Sequence, residues 1–187
     1  MSTMQDYAGK LAVITGAGSG LGRATAHLLA ARGAQVIIAD LVPDAGQKTA
    51  DDIIGQGGDA AFMPLDVADF KAVQALFAAV WDTEGRLDVL VNCAGIATTL
   101  APIADYPIED WHHAININLN GTFYCIKYAI PLMLASAGGA IVTMSSIMGS
   151  IASGTAPAYC AGKHALVGIT KAVAQEYAAQ GIRINAV

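Results

Sequence analysis

The fold is decided by Leu11-Ala-Val-Ile-Thr15, which is followed at once by Gly16-Ala-Gly-Ser-Gly-Leu-Gly22. The first segment is short, apolar and rich in β-branched residues, which is typical of a buried strand. The second segment allows sharp turns, because glycine accepts backbone conformations that other residues avoid. It leads into an alanine- and leucine-rich helix that we predict from about Arg23 to Arg32. A buried strand that passes through glycines into a helix is the opening unit of many parallel α/β sheets.

The same alternation continues along the chain. Further strands are predicted at 35–40, 60–65, 87–92, 140–145 and 182–187, and further helices at 43–56, 69–84, 107–136 and 157–179. Strands that are apolar throughout and alternate with helices indicate a parallel sheet covered on both faces. We therefore predict a Rossmann-like, doubly wound α/β sheet of six strands, formed by residues 1–187 as a single domain.

The long predicted helix at 107–136 carries an apolar stripe with helical spacing. We expect every member of this stripe to pack in the core: Trp111, Ile115, Leu119, Phe123, Ile126 and Ile130. His112 and His113 lie early on the same helix without a metal-ligand partner, so we predict that they are surface or interface residues.

The composition restricts the class of protein. Hydrophobic residues make up 55% of the chain and charged residues 13%, which indicates a globular protein. The net charge of −5 argues against nucleic acid or an anionic membrane as a partner, and no uninterrupted 18-residue apolar span is present. Cys93, Cys125 and Cys160 show neither a disulfide framework nor a metal-ligand pattern, so we expect packing roles, no metal and a cytoplasmic location.

The glycine loop predicts a binding site for the pyrophosphate of a dinucleotide, which would lie at the start of the following helix. The common G-x-G-x-x-G pattern is not met, because its last position falls on Leu21, and an ordinary strand–helix turn is the alternative.

Asp40 ends the second predicted strand, twenty residues after Gly20, where its carboxylate would accept hydrogen bonds from ribose hydroxyls. It would also repel a 2′-phosphate, and no Lys or Arg occurs at 17–19 or 41, so NAD is favoured over NADP. A solvated strand-end carboxylate is the alternative for Asp40.

Three polar residues point to catalysis. Tyr159 and Lys163 are four residues apart at the start of the last predicted helix, so they share one helical face. A solvated surface pair would have the same spacing. Ser146 lies thirteen residues before Tyr159, where the fifth predicted strand ends. Open α/β sheets bind their ligands at this carboxyl edge, which favours a catalytic group.

Together these features resemble the short-chain dehydrogenase/reductase family along the whole chain. The matching motifs are the loop Thr15–Gly22, Asp66-Val67, Asn92-Cys-Ala-Gly95, Asn118-Leu-Asn-Gly121, Ser146, Tyr159 and Lys163. Cys93 stands where the family has a second asparagine. Asn116 and Asn120 are near rivals of Asn118, and only the spacing selects Asn118.

The resemblance implies a hydride transfer between NAD(H) and a secondary alcohol or ketone. The implied catalytic residues are Asn118, Ser146, Tyr159 and Lys163: Tyr159 as general acid/base, Lys163 on the nicotinamide ribose, Ser146 on the substrate oxygen, and Asn118 on a water that links Lys163 to solvent. Ser146 and Tyr159 would contact substrate. The implied cofactor-binding residues are Gly16, Ser19, Gly20, Leu21, Gly22, Asp40, Asp66, Val67, Asn92, Ala94, Gly95, Tyr159 and Lys163.

Several expectations accompany this assignment. Family members continue beyond a strand such as 182–187 into a substrate lid and a further strand, so we expect a chain truncated at Val187. The family also implies a homodimer or homotetramer. The apolar segments Ile96–Leu100 and Ile147–Pro157 are expected to line the substrate pocket and favour an uncharged alcohol or ketone. The alternatives are a non-catalytic NAD-binding module of the same fold and a sugar-nucleotide epimerase or dehydratase, although the glycine spacing argues against the latter.

Overall fold

The computed structural model describes residues 6–187, which form one parallel six-stranded sheet flanked by helices. The strands are β1 Leu11–Thr15, β2 Gln35–Asp40, β3 Asp59–Pro64, β4 Val89–Asn92, β5 Gly139–Thr143 and β6 Ile182–Ala186. Their order across the sheet is β3-β2-β1-β4-β5-β6, and each neighbouring pair is parallel. The chain order reverses direction between β1 and β4, so the sheet is doubly wound, as predicted.

The helices connect these strands. They are α1 Gly20–Ala31, α2 Pro43–Gly55, α3 Phe70–Glu84, α4 Ile108–Ile115, α5 Thr122–Ala135 and α6 Pro157–Tyr177. Short 3-10 turns occur at Ile103–Asp105, Ile147–Gly149 and Ala178–Gln180. Helix α1 begins three residues earlier than predicted, because it includes the last glycines of the loop. Among the described residues no helix is long and apolar enough to cross a membrane.

Local sequence explains where α3 begins and ends. Asp69 precedes the helix, and its side chain accepts a hydrogen bond from the backbone N–H of Lys71, which satisfies one of the free donors of the first turn. Gly85 follows the helix in the left-handed conformation, with φ of +64°, and ends it.

Alternate residues of each strand enter different halves of the core. In β1, Leu11 and Val13 pack with α3 and α5, whereas Ala12 and Ile14 pack with α1 and α2. All four side chains are fully buried. This two-sided burial accounts for the uninterrupted apolar character of the strand.

A π-helical segment, Asn116–Gly121, joins α4 to α5 within the long helix predicted at 107–136. Ile126 and Ile130 are buried as expected, whereas Phe123 is 45% exposed, with its ring tilted against that of Tyr124. The other three members are half-buried: Trp111, Ile115 and Leu119. The prediction that Phe123 lies in the core is therefore wrong. After the wider π turn, Thr122 and Cys125 face the core in its place. His112 and His113 are exposed on α4, which confirms their surface position.

Asp88 ties β1 to the start of β4 at the amino edge of the sheet. Its carboxylate accepts hydrogen bonds from Lys10 Nζ at 2.8 Å and from the Leu11 backbone N–H at 2.9 Å, and Arg86 lies 3.8 Å away. Burial acts to raise the pKa of Asp88, but these hydrogen bonds and the two cations outweigh it and hold the pKa below the ordinary value of 3.8. The ionised form of Asp88 therefore stabilises the folded state.

We expect Asp88→Asn to lower the free energy of unfolding by about 1–3 kcal/mol at neutral pH, because a buried charged acceptor is lost. Since the folded-state pKa is depressed, the contribution of Asp88 is present above the ordinary carboxyl pKa and is lost as the pH falls through the lower folded value. Urea unfolding from pH 7 to pH 3 should therefore show a smaller loss of stability in the variant than in the parent. Asp82→Asn, an exposed carboxylate on α3, is the matched control. Equal pH dependence in parent and Asp88→Asn would contradict this account.

Candidate active site

The loops that follow β1 and β4 meet at the carboxyl edge of the sheet. Gly16 adopts a φ of +64°, and a Cβ atom there would lie 2.8 Å from the backbone of Ala94. A Cβ atom at Gly22 would collide with the carbonyl oxygen of Gly16. The Thr15 hydroxyl accepts a hydrogen bond from the Ala94 N–H at 3.2 Å. The glycines thus allow an approach of backbone to backbone that no larger residue permits.

The start of α1 presents free backbone donors. Ser19 precedes the helix, but its side chain makes no capping hydrogen bond, and the first turn carries no acidic residue. The first N–H groups of a helix lack partners within the helix and lie at the positive end of its dipole. This end of α1 is suited to a phosphate group.

Asp40 is held in a fixed position at the end of β2. One carboxylate oxygen accepts a hydrogen bond from the Gly18 N–H at 2.7 Å, and the other accepts one from the Val42 N–H at 2.9 Å. A Cβ atom at Gly18 would lie 2.9 Å from the carboxyl carbon of Asp40. The loop can therefore approach Asp40 this closely only because residue 18 has no side chain.

A cavity of about 380 Å³, which we call the glycine-loop cleft, joins these features. Ten of the predicted cofactor residues line it: Gly16, Ser19, Gly20, Leu21, Gly22, Asp40, Asp66, Val67, Ala94 and Gly95. Six further residues line it. Ile96 belongs to a segment expected in the substrate pocket, and Cys93 lies within the Asn92–Gly95 motif. The other four were not predicted from the sequence: Leu41, Leu65, Ile117 and Met144. Asn92 lies behind this wall, where it is 3% exposed and its side-chain amide has no hydrogen-bond partner in the described part of the chain.

Asp66 and Val67 form the far end of this cleft. The Asp66 carboxylate accepts a hydrogen bond from the Ala68 N–H at 2.9 Å, which fixes the turn after β3. Val67 packs against the π segment so closely that a Cβ atom at Gly121 would lie 2.7 Å from its Cγ2 atom. Gly121 is therefore required where the helix passes this turn.

A second cavity of about 530 Å³, which we call the Tyr159 cleft, adjoins the first. The two clefts share Leu21, Cys93, Gly95, Ile96 and Met144 as walls. The remaining lining is Ala97, Thr98, Leu100, Ser145, Met148, Ser153, Ala156, Tyr159 and Lys163. The structure thus places Tyr159 and Lys163 beside the glycine-loop cleft, although they do not line it.

Tyr159 and Lys163 lie next to each other on α6. The Lys163 Nζ atom is 5.5 Å from the centre of the Tyr159 ring and donates a hydrogen bond to the Met144 carbonyl at 2.6 Å. Lys163 is only 7% exposed, and burial lowers its pKa, an effect that the nearby Cys93 opposes. The predicted shared helical face therefore places the phenol and the amine in one cleft.

Two adjacent serines follow β5, and they have different surroundings. The Ser145 hydroxyl lines the Tyr159 cleft and donates to the Lys163 carbonyl at 3.1 Å. The predicted Ser146 lies outside the set of lining residues, and its hydroxyl accepts from the Met148 N–H at 3.2 Å. Sequence reasoning missed Ser145; its place next to Ser146 was the only available indication.

Asn118 lies within the π segment and is 2% exposed. Its side-chain oxygen accepts from the Ile96 N–H at 2.8 Å, and its amide nitrogen donates to the Ile96 carbonyl at 3.0 Å. Asn116 and Asn120 instead form a hydrogen bond with each other. Of the three asparagines, Asn118 is therefore the one that is fixed to a wall of both clefts.

The cysteines differ in exposure. Cys125 is fully buried and Cys160 is 9% exposed, in agreement with packing roles, and burial raises the pKa of Cys125 to about 12. Cys93 was expected in the core but is partly exposed in the shared wall, because the strand has already ended there. Burial raises the pKa of its thiol to about 11, and Lys163 opposes the shift. Among residues 6–187 no group of three His, Cys, Asp or Glu side chains is placed to hold a metal.

Comparison with known proteins identifies the family. Residues 10–187 match the family model described as short chain dehydrogenase. Cyclohexanol dehydrogenase of Acinetobacter sp. (strain SE19) is 43% identical over 95% of this chain and 71% of its own length. D-threitol dehydrogenase of Mycolicibacterium smegmatis (strain ATCC 700084 / mc(2)155) is 40% identical over 96% of this chain and 68% of its own length.

Comparison with solved structures leads to the same family. The crystal structure of NAD+-bound xylitol dehydrogenase superposes with a TM-score of 0.93 at 31% identity, over 97% of this chain and 70% of that one. Among the curated relatives the chain spans between 64% and 72% of their length. The glycine loop, the doubly wound sheet and these matches together show that the chain belongs to the short-chain dehydrogenase family of oxidoreductases.

Proposed function

We propose that this protein is an NAD-dependent dehydrogenase that interconverts a secondary alcohol and a ketone, with Tyr159 as the general acid/base. The observation that carries the proposal is the shared wall of the two clefts, which brings a Tyr–Lys pair next to a site suited to a dinucleotide. When bound, the nicotinamide supplies the hydride acceptor or donor.

The glycine-loop cleft fits a dinucleotide for three reasons. Gly16 and Gly22 let the loop backbone pack closely against Ala94 and against itself, and the start of α1 offers free N–H groups to a pyrophosphate. Asp40 is oriented by two backbone hydrogen bonds, yet each carboxylate oxygen can accept another. Its carboxylate would accept hydrogen bonds from the ribose hydroxyls, and its negative charge would repel a 2′-phosphate, which supports NAD over NADP.

Tyr159 moves the proton. In oxidation, the deprotonated phenol oxygen of Tyr159 would take the alcohol O–H proton, and bound NAD+ would supply the acceptor for the C–H hydride, so that a ketone forms. We assign Lys163 to promoting this proton transfer, because its Nζ atom lies 5.5 Å from the centre of the Tyr159 ring and a nearby cation favours negative charge. Lys163 would also hold the nicotinamide ribose.

Ser146 and Asn118 complete the proposed set. We assign Ser146 to the substrate oxygen, because it lies between Ser145 and Met148, which both line the Tyr159 cleft. The Asn118 amide is already hydrogen-bonded to Ile96, so we assign its side chain to holding the wall between the two clefts.

The proposal includes a reducing, cytoplasmic setting and assembly into a homodimer or homotetramer. Three free cysteines support the first part. The exposed aromatic side chains Phe70 and Phe123, on α3 and α5, support the second, because exposed apolar surface favours association.

For this proposed function, the first prediction concerns the glycine loop. Gly22→Ala is expected to weaken NADH binding at least about tenfold, because the new methyl group would displace the Gly16 carbonyl, and tenfold corresponds to about 1.4 kcal/mol. Fluorescence titration of NADH measures this. Gly55→Ala, where a Cβ atom meets nothing within 4 Å, serves as the control. Unchanged affinity in a folded Gly22→Ala protein would refute the proposed place of the cofactor.

The second prediction concerns cofactor choice. Asp40→Asn removes the charge that repels a 2′-phosphate, and we expect the ratio of kcat/KM for NAD to that for NADP to fall by about tenfold or more. Asp44→Asn, an exposed carboxylate on α2, should leave the ratio unchanged. If the parent already prefers NADP, the assignment of Asp40 is wrong.

The third prediction concerns chemistry. Tyr159→Phe should reduce turnover by about 10²–10⁴-fold or more, because the proton acceptor is lost, while NADH binding stays nearly unchanged. Tyr128→Phe on α5, outside both clefts, is the control. The same pair of variants separates an enzyme from a non-catalytic NAD-binding module, in which neither substitution would alter any alcohol-dependent signal.

A further inference from the structure

We infer that the Tyr159 cleft takes an uncharged, apolar alicyclic alcohol, such as a cyclohexanol, in preference to a polyol or a hydroxycarboxylate. This inference rests on the proposed function and adds the chemical class of its substrate.

The charges of the cleft disfavour an anionic substrate. Lys163 is the only charged side chain among the described residues that line the cleft, and its Nζ atom is buried and donates to the Met144 carbonyl. No arginine or free ammonium is therefore available to a substrate carboxylate. An anion would lose its hydration without gaining an ion pair.

The hydroxyl groups of the cleft disfavour a polyol. Ser145 already donates its hydroxyl hydrogen to the Lys163 carbonyl. The Thr98 hydroxyl has no hydrogen-bond partner among the described residues, but it is buried and does not face the open part of the cleft. Apart from the proposed catalytic groups, Ser153 is therefore the one accessible lining hydroxyl without a hydrogen bond in the described part of the chain. A substrate with several hydroxyl groups would leave most of them without partners, and a buried polar group without a partner reduces affinity.

The apolar side chains favour a hydrocarbon ring. Ile96, Ala97, Met148 and Ala156 line the cleft, and none of them offers a polar side-chain group. At its edge, Leu21 and Leu100 are 69% and 72% exposed. When an apolar ligand covers exposed apolar side chains, apolar surface is removed from water and the complex is stabilised. The cleft therefore presents one reacting position, beside Tyr159, within apolar surroundings.

The test compares kcat/KM for NAD-dependent oxidation of cyclohexanol, threitol and cis-4-hydroxycyclohexanecarboxylate by the 187-residue protein. We expect cyclohexanol to exceed each of the others by about tenfold or more, which equals about 1.4 kcal/mol. A preference for threitol or for the carboxylate, lost in Tyr159→Phe, would overturn this inference and leave the proposed function intact.

A variant pair gives a second, independent readout. Leu100→Asn should lower kcat/KM for cyclohexanol by about tenfold more than it lowers kcat/KM for threitol, because it removes apolar contact at the cleft. Leu28→Asn, a 55% exposed leucine on α1, is the matched control. An equal fall for both substrates, or no fall, would contradict the inference.

If none of the three alcohols yields NADH, the proposed function fails for this chain, and binding still decides the preference of the cleft. Saturation-transfer NMR on the NADH-loaded protein would then compare cyclohexanone with threitol as competitors. Displacement of threitol by cyclohexanone supports the inference, and the reverse overturns it.

Discussion

The two hydrogen bonds between the Asn118 side chain and the backbone of Ile96 are the contact on which the site depends. They fix the segment after β4 to the long helix, at the wall that both clefts share. An amide that both donates and accepts sets the position and the orientation of a peptide at once. Because Asn118 is buried, water competes little for these bonds. The wall next to Tyr159 is therefore fixed before any ligand binds.

The π turn is what allows this contact. In a regular α-helix the side chains of residues 116–121 would point in other directions, because a π turn contains more residues than an α turn. Phe123, just after this turn, is left exposed to solvent. In return, Asn118 faces the loop after β4, and Gly121 lets Val67 approach from the turn after β3. One irregular turn thus contacts two of the loops at the carboxyl edge, where open α/β sheets bind ligands.

The sequence predicted those features that depend on local pattern. The parallel sheet follows from apolar strands alternating with helices, and the shared position of Tyr159 and Lys163 follows from helical spacing. The features that it could not predict depend on the approach of distant segments. Met144 and Cys93 enter the shared wall only because the loops after β4 and β5 meet there. The different surroundings of Ser145 and Ser146 depend in the same way on the position of α6 and of the turn after Ser146.

The central claim is that the glycine-loop cleft and the Tyr159 cleft are two halves of one site. The most direct measurement is a crystal structure of the protein with bound NAD+. The account predicts that the adenosine ribose hydroxyls contact Asp40, and that the nicotinamide crosses the wall at Ile96 to lie beside Tyr159. A dinucleotide bound elsewhere, or one whose nicotinamide points away from Tyr159, would contradict it.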